Sequence, residues 1–129
     1  MSNTLTLVGT VHIDGAGAST NVVGLTTNTI AVGANVFIAS KLPIAGGLRS
    51  LLNLGAGTSA DGCLVSVPTI NGGGSLTGFT TYTIDSTIGA SGFADAGDNF
   101  QVAEPIIPVG GGFFLNNVTA SPVVWVQSF

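Results

Sequence analysis

The sequence predicts an all-β protein, an antiparallel β-sandwich of jelly-roll type with at most one short helix. Three observations carry this expectation. From Thr4 to Ile13 apolar and polar residues alternate, with Leu5, Leu7, Val11 and Ile13 on odd positions and Thr4, Thr6, Thr10 and His12 on even ones. That is the period of a pleated strand, whose successive side chains point to opposite faces. Turn-forming Gly, Asn and Pro recur at short intervals through the rest of the chain, as they do in sandwiches and barrels. Only one stretch, Gly47 to Leu54, spaces its leucines as a helix would.

The first strand sets the functional question. Ten residues make a ribbon of roughly 33 Å, and its apolar row and backbone groups must find partners. The link that follows, Asp14-Gly15-Ala16-Gly17-Ala18-Ser19, is small and flexible. Gly9 marks a bulge or a close backbone approach midway along the strand. Residues 1–20 therefore read as a strand on a tether, which pairs in its own domain or is lent to a neighbouring subunit. Residues 21–129 read as the sandwich.

Along that domain, Asn21 to Thr26 predicts a strand and Thr29 to Val32 a short one. Gly33-Ala34-Asn35 supplies a tight turn into Val36-Phe37-Ile38-Ala39, an apolar run suited to a strand covered on both faces. Leu48, Leu51 and Leu52 predict one short helix or 3₁₀ turn, stopped by Gly55. Cys63 to Val67 is a strand ended by Pro68, Asn71 to Ser75 a loop, and Leu76 to Ile84 a strand with Tyr82 and Ile84 on one face. Ser86 to Phe100 reads as loop, and Pro105 and Pro108 confine Ile106-Ile107 to an edge or connector. Gly110-Gly111-Gly112 is a turn, and Phe113–Asn116 with Val123–Phe129 predicts a closing hairpin. Phe37, Tyr82, Phe113 or Phe114, and Trp125 are the expected large core residues, Trp125 foremost.

Several of these segments together carry a resemblance. Asn21-Val22-Val23-Gly24, then Val36-Phe37-Ile38-Ala39, then Pro108-Val109-Gly110-Gly111-Gly112-Phe113-Phe114 with Asn116, and a terminal Trp125-Val126-Gln127-Ser128-Phe129 resemble a large group of uncharacterised secreted β-proteins of Verrucomicrobia-type bacteria. Those proteins begin with an N-V-V-G-Y strand and end in P-x-G-x-G-F-F-x-x-N followed by a short apolar strand. The likeness spans most of residues 21–129. This chain departs from it in Leu25, where Tyr is usual, and in the additional strand Thr4 to Ile13. The resemblance implies export and a cell-surface setting; it implies no catalytic residue.

Composition narrows the function classes. Among 129 residues there are two basic and six acidic ones, 6% charged, against about 25% in ordinary soluble domains. Apolar residues make up 45% and mean hydropathy is +0.62, so few charges oppose association. A net charge of −4 argues against nucleic acid, which demands clustered Lys and Arg. Gly and Thr interrupt every apolar run before the ~20 residues of a membrane helix, and no membrane insertion is expected. Met1-Ser2-Asn3 leads directly into the strand without a leader's cationic and apolar regions, which predicts either a chain that stays inside or a leader already removed.

Residues for chemistry are few. His12 is the single histidine and has no Ser or Cys with an Asp placed as a relay. Gly57-Thr58-Ser59-Ala60-Asp61 lacks the second glycine of a nucleophile elbow. Neither glycine triplet is followed by the Lys-Ser/Thr pair of a phosphate loop. The single cysteine, Cys63, reads as a small buried hydrophobe, and one His with one Cys is too few for zinc. No enzyme activity and no cofactor are expected. Calcium is the one metal to weigh, because Asp95, Asp98 and Asn99 place three oxygen-bearing side chains within five residues. The plainer reading of that stretch is an Asx-rich turn. Asn117-Val118-Thr119 forms a glycosylation sequon at Asn117.

The expected function is a self-assembling extracellular structural subunit, a filament or pilus-like fibre polymerising by strand donation. Leu5, Leu7, Val11 and Ile13 form the donated row, and the partner is the same chain. A virion shell, decoration or fibre protein is the alternative. So is a monomeric glycan-binding module at the cell surface, distinguished by an exposed aromatic platform.

Overall fold

The computed structural model describes residues 10–13, 20–23, 25–39, 44–97 and 100–128. These form an antiparallel all-β sandwich with no helix among the described residues. Its strands are β1 (Thr10–Ile13), β2 (Thr20–Val23), β3 (Leu25–Ile30), β4 (Asn35–Ala39), β5 (Gly46–Gly47), β6 (Leu64–Ile70), β7 (Leu76–Ile84), β8 (Phe93–Asp95), β9 (Ile106–Ile107), β10 (Gly112–Asn116) and β11 (Val123–Ser128). The main sheet runs β4-β10-β6-β7-β8, and two-stranded sheets β11-β3, β1-β2 and β5-β9 accompany it.

The core lies between the main sheet and the β3–β11 pair. Phe113 and Leu115 of β10, Val65 of β6, Ile84 of β7 and Phe93 of β8 are fully enclosed. Opposite them stand Ile30, Val123 and Trp125. The Phe113 and Trp125 rings meet edge to face at 6.2 Å, the favoured geometry for aromatic quadrupoles.

The stretch expected to be helical is instead a wide turn. Leu51 and Leu52 both donate their N–H to the Gly47 carbonyl, and Leu54 donates to Leu48. Leu48, Leu52 and Leu54 are buried, and a spacing of four then two lets all three point inward only on a chain that coils more loosely than a helix. Gly47 is fixed by its surroundings, because a Cβ there would run into the Glu104 carboxylate.

Other expectations are corrected by tertiary context. The strand expected over Asn21–Thr26 divides into β2 and β3, and β3 runs on to Ile30, beyond the break expected before Thr29. Pro68 does not end β6: it pairs with Phe79 on the β7 side, while pairing with β10 stops at Ser66. Past Ser66 the strand is an edge, where the missing N–H costs no ladder bond. The expected loop Ser86–Phe100 contains β8, with Phe93 and Ala94 in the core. The expected C-terminal hairpin does not form, since β10 pairs with β4 and β6 whereas β11 pairs with β3. The loop between them crosses from one sheet to the other. Phe37 is 58% exposed, so β4 is covered on one face alone, and Tyr82 of β7 is half-buried against the core.

Candidate functional site

β3 and β4 are consecutive in sequence but belong to different sheets. The corner joining them is Ala31–Ala34, closed by a hydrogen bond from the Ala34 N–H to the Ala31 carbonyl, with Gly33 at φ +74°, a left-handed conformation natural to glycine. Asn117 holds this corner. Its backbone accepts from Gly33 N–H at 2.8 Å and donates to the Ala34 carbonyl at 2.9 Å. Its side-chain amide donates to the carbonyls of Ile30, Ala31 and Ser121, and its Oδ1 accepts from the Thr119 N–H and hydroxyl. Cys63 Sγ approaches the same oxygen at 3.6 Å, and burial pushes that thiol's pKa up.

Beyond the corner β3 and β4 diverge, leaving a cleft of about 360 Å³. Thr29 and Ile30 line it from one side, Val36 and Ile38 from the other, and the buried Trp125 contributes to its wall. Both flanking strands end their sheets, so among the described residues no strand pairs with either outer edge. An unpaired edge presents a row of N–H and C=O groups to any extended chain that reaches it.

The other edges of the same two sheets are closed. Along β11, the Ser59 hydroxyl donates to the Val124 carbonyl at 2.8 Å and accepts from the Val124 N–H at 2.9 Å, while Asn53 Nδ2 donates to the Val126 carbonyl. Two side chains thus stand in for a strand. Along β8, Phe100–Val102 folds back: Asp95 N–H donates to the Phe100 carbonyl and Val102 N–H to the Phe93 carbonyl, with Gln101 bridged to Ala94.

The outer face of the main sheet is aromatic. Phe37 on β4 meets Phe114 on β10 edge to face at 5.1 Å, and Phe114 meets Phe79 of β7 at 5.6 Å. Phe37 and Phe79 are 58% and 49% exposed. The residues sharing this face, among them Ser66, Pro68 and Thr81, are uncharged. Phe37, expected in the core, instead belongs to this row. Its only trace in the sequence is Phe79 standing opposite in phase to Tyr82 and Ile84.

A second depression, about 460 Å³, lies between Arg49, Ser91 and Glu104, but its polar groups are engaged. Glu104 Oε2 accepts the backbone N–H groups of Arg49 and Ser50, and Arg49 Nη1 donates to the carbonyls of Ala90 and Ser91. Partial burial works against the Glu104 charge. The Ser50 hydroxyl, the two N–H groups and the Arg49 cation outweigh it, and the pKa falls below the usual glutamate value.

Of the expected donor residues, Leu5 and Leu7 lie outside the described residues. Val11 and Ile13 stand on β1, which pairs antiparallel with β2 of the same chain in the register Val11↔Val22 and Ile13↔Thr20. Of the expected calcium loop, Asp98 and Asn99 lie outside the described residues, and Asp95 Oδ1 accepts the Gly97 N–H at 2.8 Å, the bond of an Asx turn. No group of three His, Cys, Asp or Glu side chains is placed to hold a metal ion among the described residues. Asn117 is fully buried with its amide nitrogen committed to three carbonyls, so the folded chain offers no free amide to carry a glycan. In the fold the Asn-x-Thr pattern serves the corner, Thr119 capping the Asn117 oxygen.

No family model, no curated protein and no solved structure matches the chain.

Proposed function

We propose that the chain is a structural subunit that assembles with copies of itself outside the cell, into a filament joined by strands donated from the N-terminal segment. The observation that carries this reading is the outer face of the main sheet, where Phe37, Phe79 and Phe114 lie together without a charged neighbour. Contiguous apolar surface of this kind marks an interaction site. With eight charged residues in the whole chain, association meets little electrostatic opposition. Export is what the resemblance to secreted β-proteins implies. The described part of the N-terminal strand forms a ladder of only four residue pairs with β2, and a two-stranded ribbon alone is marginal in water, which leaves it available for exchange.

The same aromatic row favours a second reading, a glycan-binding module. Sugar rings stack on flat aromatic faces, however, and these rings stand at 62° and 72° to one another, with no coplanar platform. Sedimentation and electron microscopy of the full chain, alone and as the Phe37→Ser/Phe79→Ser variant, separate the readings. Concentration-dependent polymers that weaken in the variant support the structural subunit. A full-length chain that stays monomeric at high concentration and binds oligosaccharides overturns it.

A further inference from the structure

We infer that the cleft between the outer edges of β3 and β4 is the acceptor site, and that its occupant is the Thr4–Ile13 strand of a second copy of this chain. This deepens the strand-donation reading above and rests on it. Four edges bound the two sandwich sheets. Those of β11 and β8 are closed, by Ser59 with Asn53 and by Phe100–Val102. Among the described residues no strand pairs with the outer side of β3 or β4, and these two flank one and the same cleft; β6 beyond Ser66 and β7 before Thr81 are unpaired on one side as well. An incoming strand in this cleft therefore meets an unpaired backbone edge on each side among the described residues.

Side-chain chemistry agrees with that placement. Ile30, Val36, Ile38 and Trp125 present an apolar lining, and the donor carries Leu5, Leu7, Val11 and Ile13 on one face. Strand addition of this kind takes affinity from main-chain bonds and specificity from alternate side chains. The donor's opposite row, Thr4, Thr6, Val8, Thr10 and His12, then turns away from the lining, toward the rims that carry the exposed Thr29 and Ala39. Neither the cleft lining nor Thr4–Ile13 holds an Asp, Glu, Lys or Arg, so docking strands no unpaired charge. Because donor and acceptor are different surfaces, each subunit accepts from one neighbour and donates to the next, giving an open fibre unless the rotation closes a ring.

Full-length chains that each carry one introduced cysteine test the assignment. Thr6→Cys marks the donor, Thr29→Cys and Ala39→Cys mark the two rims, and Val124→Cys marks the closed β11 edge; the native Cys63 is buried. Equimolar mixtures are assembled, oxidised and resolved as covalent dimers. The donor is expected to cross-link to the Thr29 or Ala39 variant at least fivefold more than to the Val124 variant. Polymers that form without this preference overturn the cleft as acceptor while the homopolymer stands. Absence of any polymer overturns both. As an independent readout, a peptide of residues 3–13 added in excess is expected to shorten the polymers and shift the emission of Trp125, the one tryptophan of the chain. An unaltered spectrum and length distribution also count against the cleft.

Discussion

The indole N–H of Trp125 donates to the carbonyl of Leu52 at 2.6 Å, joining residues 73 positions apart. The bond ties the wide turn after β5 to β11 and satisfies a polar group that is otherwise enclosed. Trp125→Phe keeps an aromatic ring against Phe113 but leaves the Leu52 carbonyl without a donor, at an expected cost of about 1–3 kcal/mol. Trp125→Ala adds a cavity and is expected to cost about 3–5 kcal/mol. Urea denaturation followed by circular dichroism measures both; a Phe variant as stable as the parent removes the hydrogen bond from the account.

Asn117→Ala strips donors from the Ile30, Ala31 and Ser121 carbonyls at once. Loss on the order of 3 kcal/mol is expected from these unsatisfied groups. Asn117→Asp should fare no better, since a carboxylate cannot donate to carbonyls. Mass spectrometry of the chain made in a glycosylating host is expected to find Asn117 unmodified in the folded fraction.

Ser59→Ala uncovers the N–H and C=O of Val124. Water can replace these bonds at an exposed edge, so the stability cost is small, about 0.5–1.5 kcal/mol. The larger effect expected is a second mode of association through β11. Cross-linking through Val124→Cys, weak in the parent, should rise in the Ser59→Ala background; an unchanged yield shows that Ser59 does not guard this edge.

Glu104 gives the fold an acid dependence. Its pKa is lowered in the folded chain from an ordinary value of 4.5. Its contribution is therefore complete above that value and is lost as pH falls through the folded pKa. Glu104→Gln is expected to be less stable at neutral pH and to show a shallower loss as the pH falls below 4.5. Asp85, held down by the Thr87 hydroxyl and N–H, leaves a residual slope. Denaturation midpoints measured across that range decide it, and parallel curves for parent and variant would sink the assignment.

Strand periods were legible because they are local. The alternation in Leu76–Ile84, the prolines around Ile106-Ile107 and the burial of Trp125 all follow from which face a residue occupies, whereas the choice of Phe113 over Phe114 for the core came from the fold. The sequence likewise determined the class, all-β, and a surface with almost no charge. Sequence could not say which strands become neighbours, because pairing joins residues far apart and depends on the whole sandwich. Pro68 looked like a stop until β10 was seen to leave β6 at Ser66. Phe37 looked like core until its strand proved to be covered on one side only. Nor does any local pattern distinguish a sequon from the clasp that Asn117 makes across the Ala31–Ala34 corner. Tertiary structure alone decided that the β11 and β8 edges are closed and that, among the described residues, the outer edges of β3 and β4 face one apolar cleft without a paired strand, for an edge is open or closed according to what other parts of the chain bring to it.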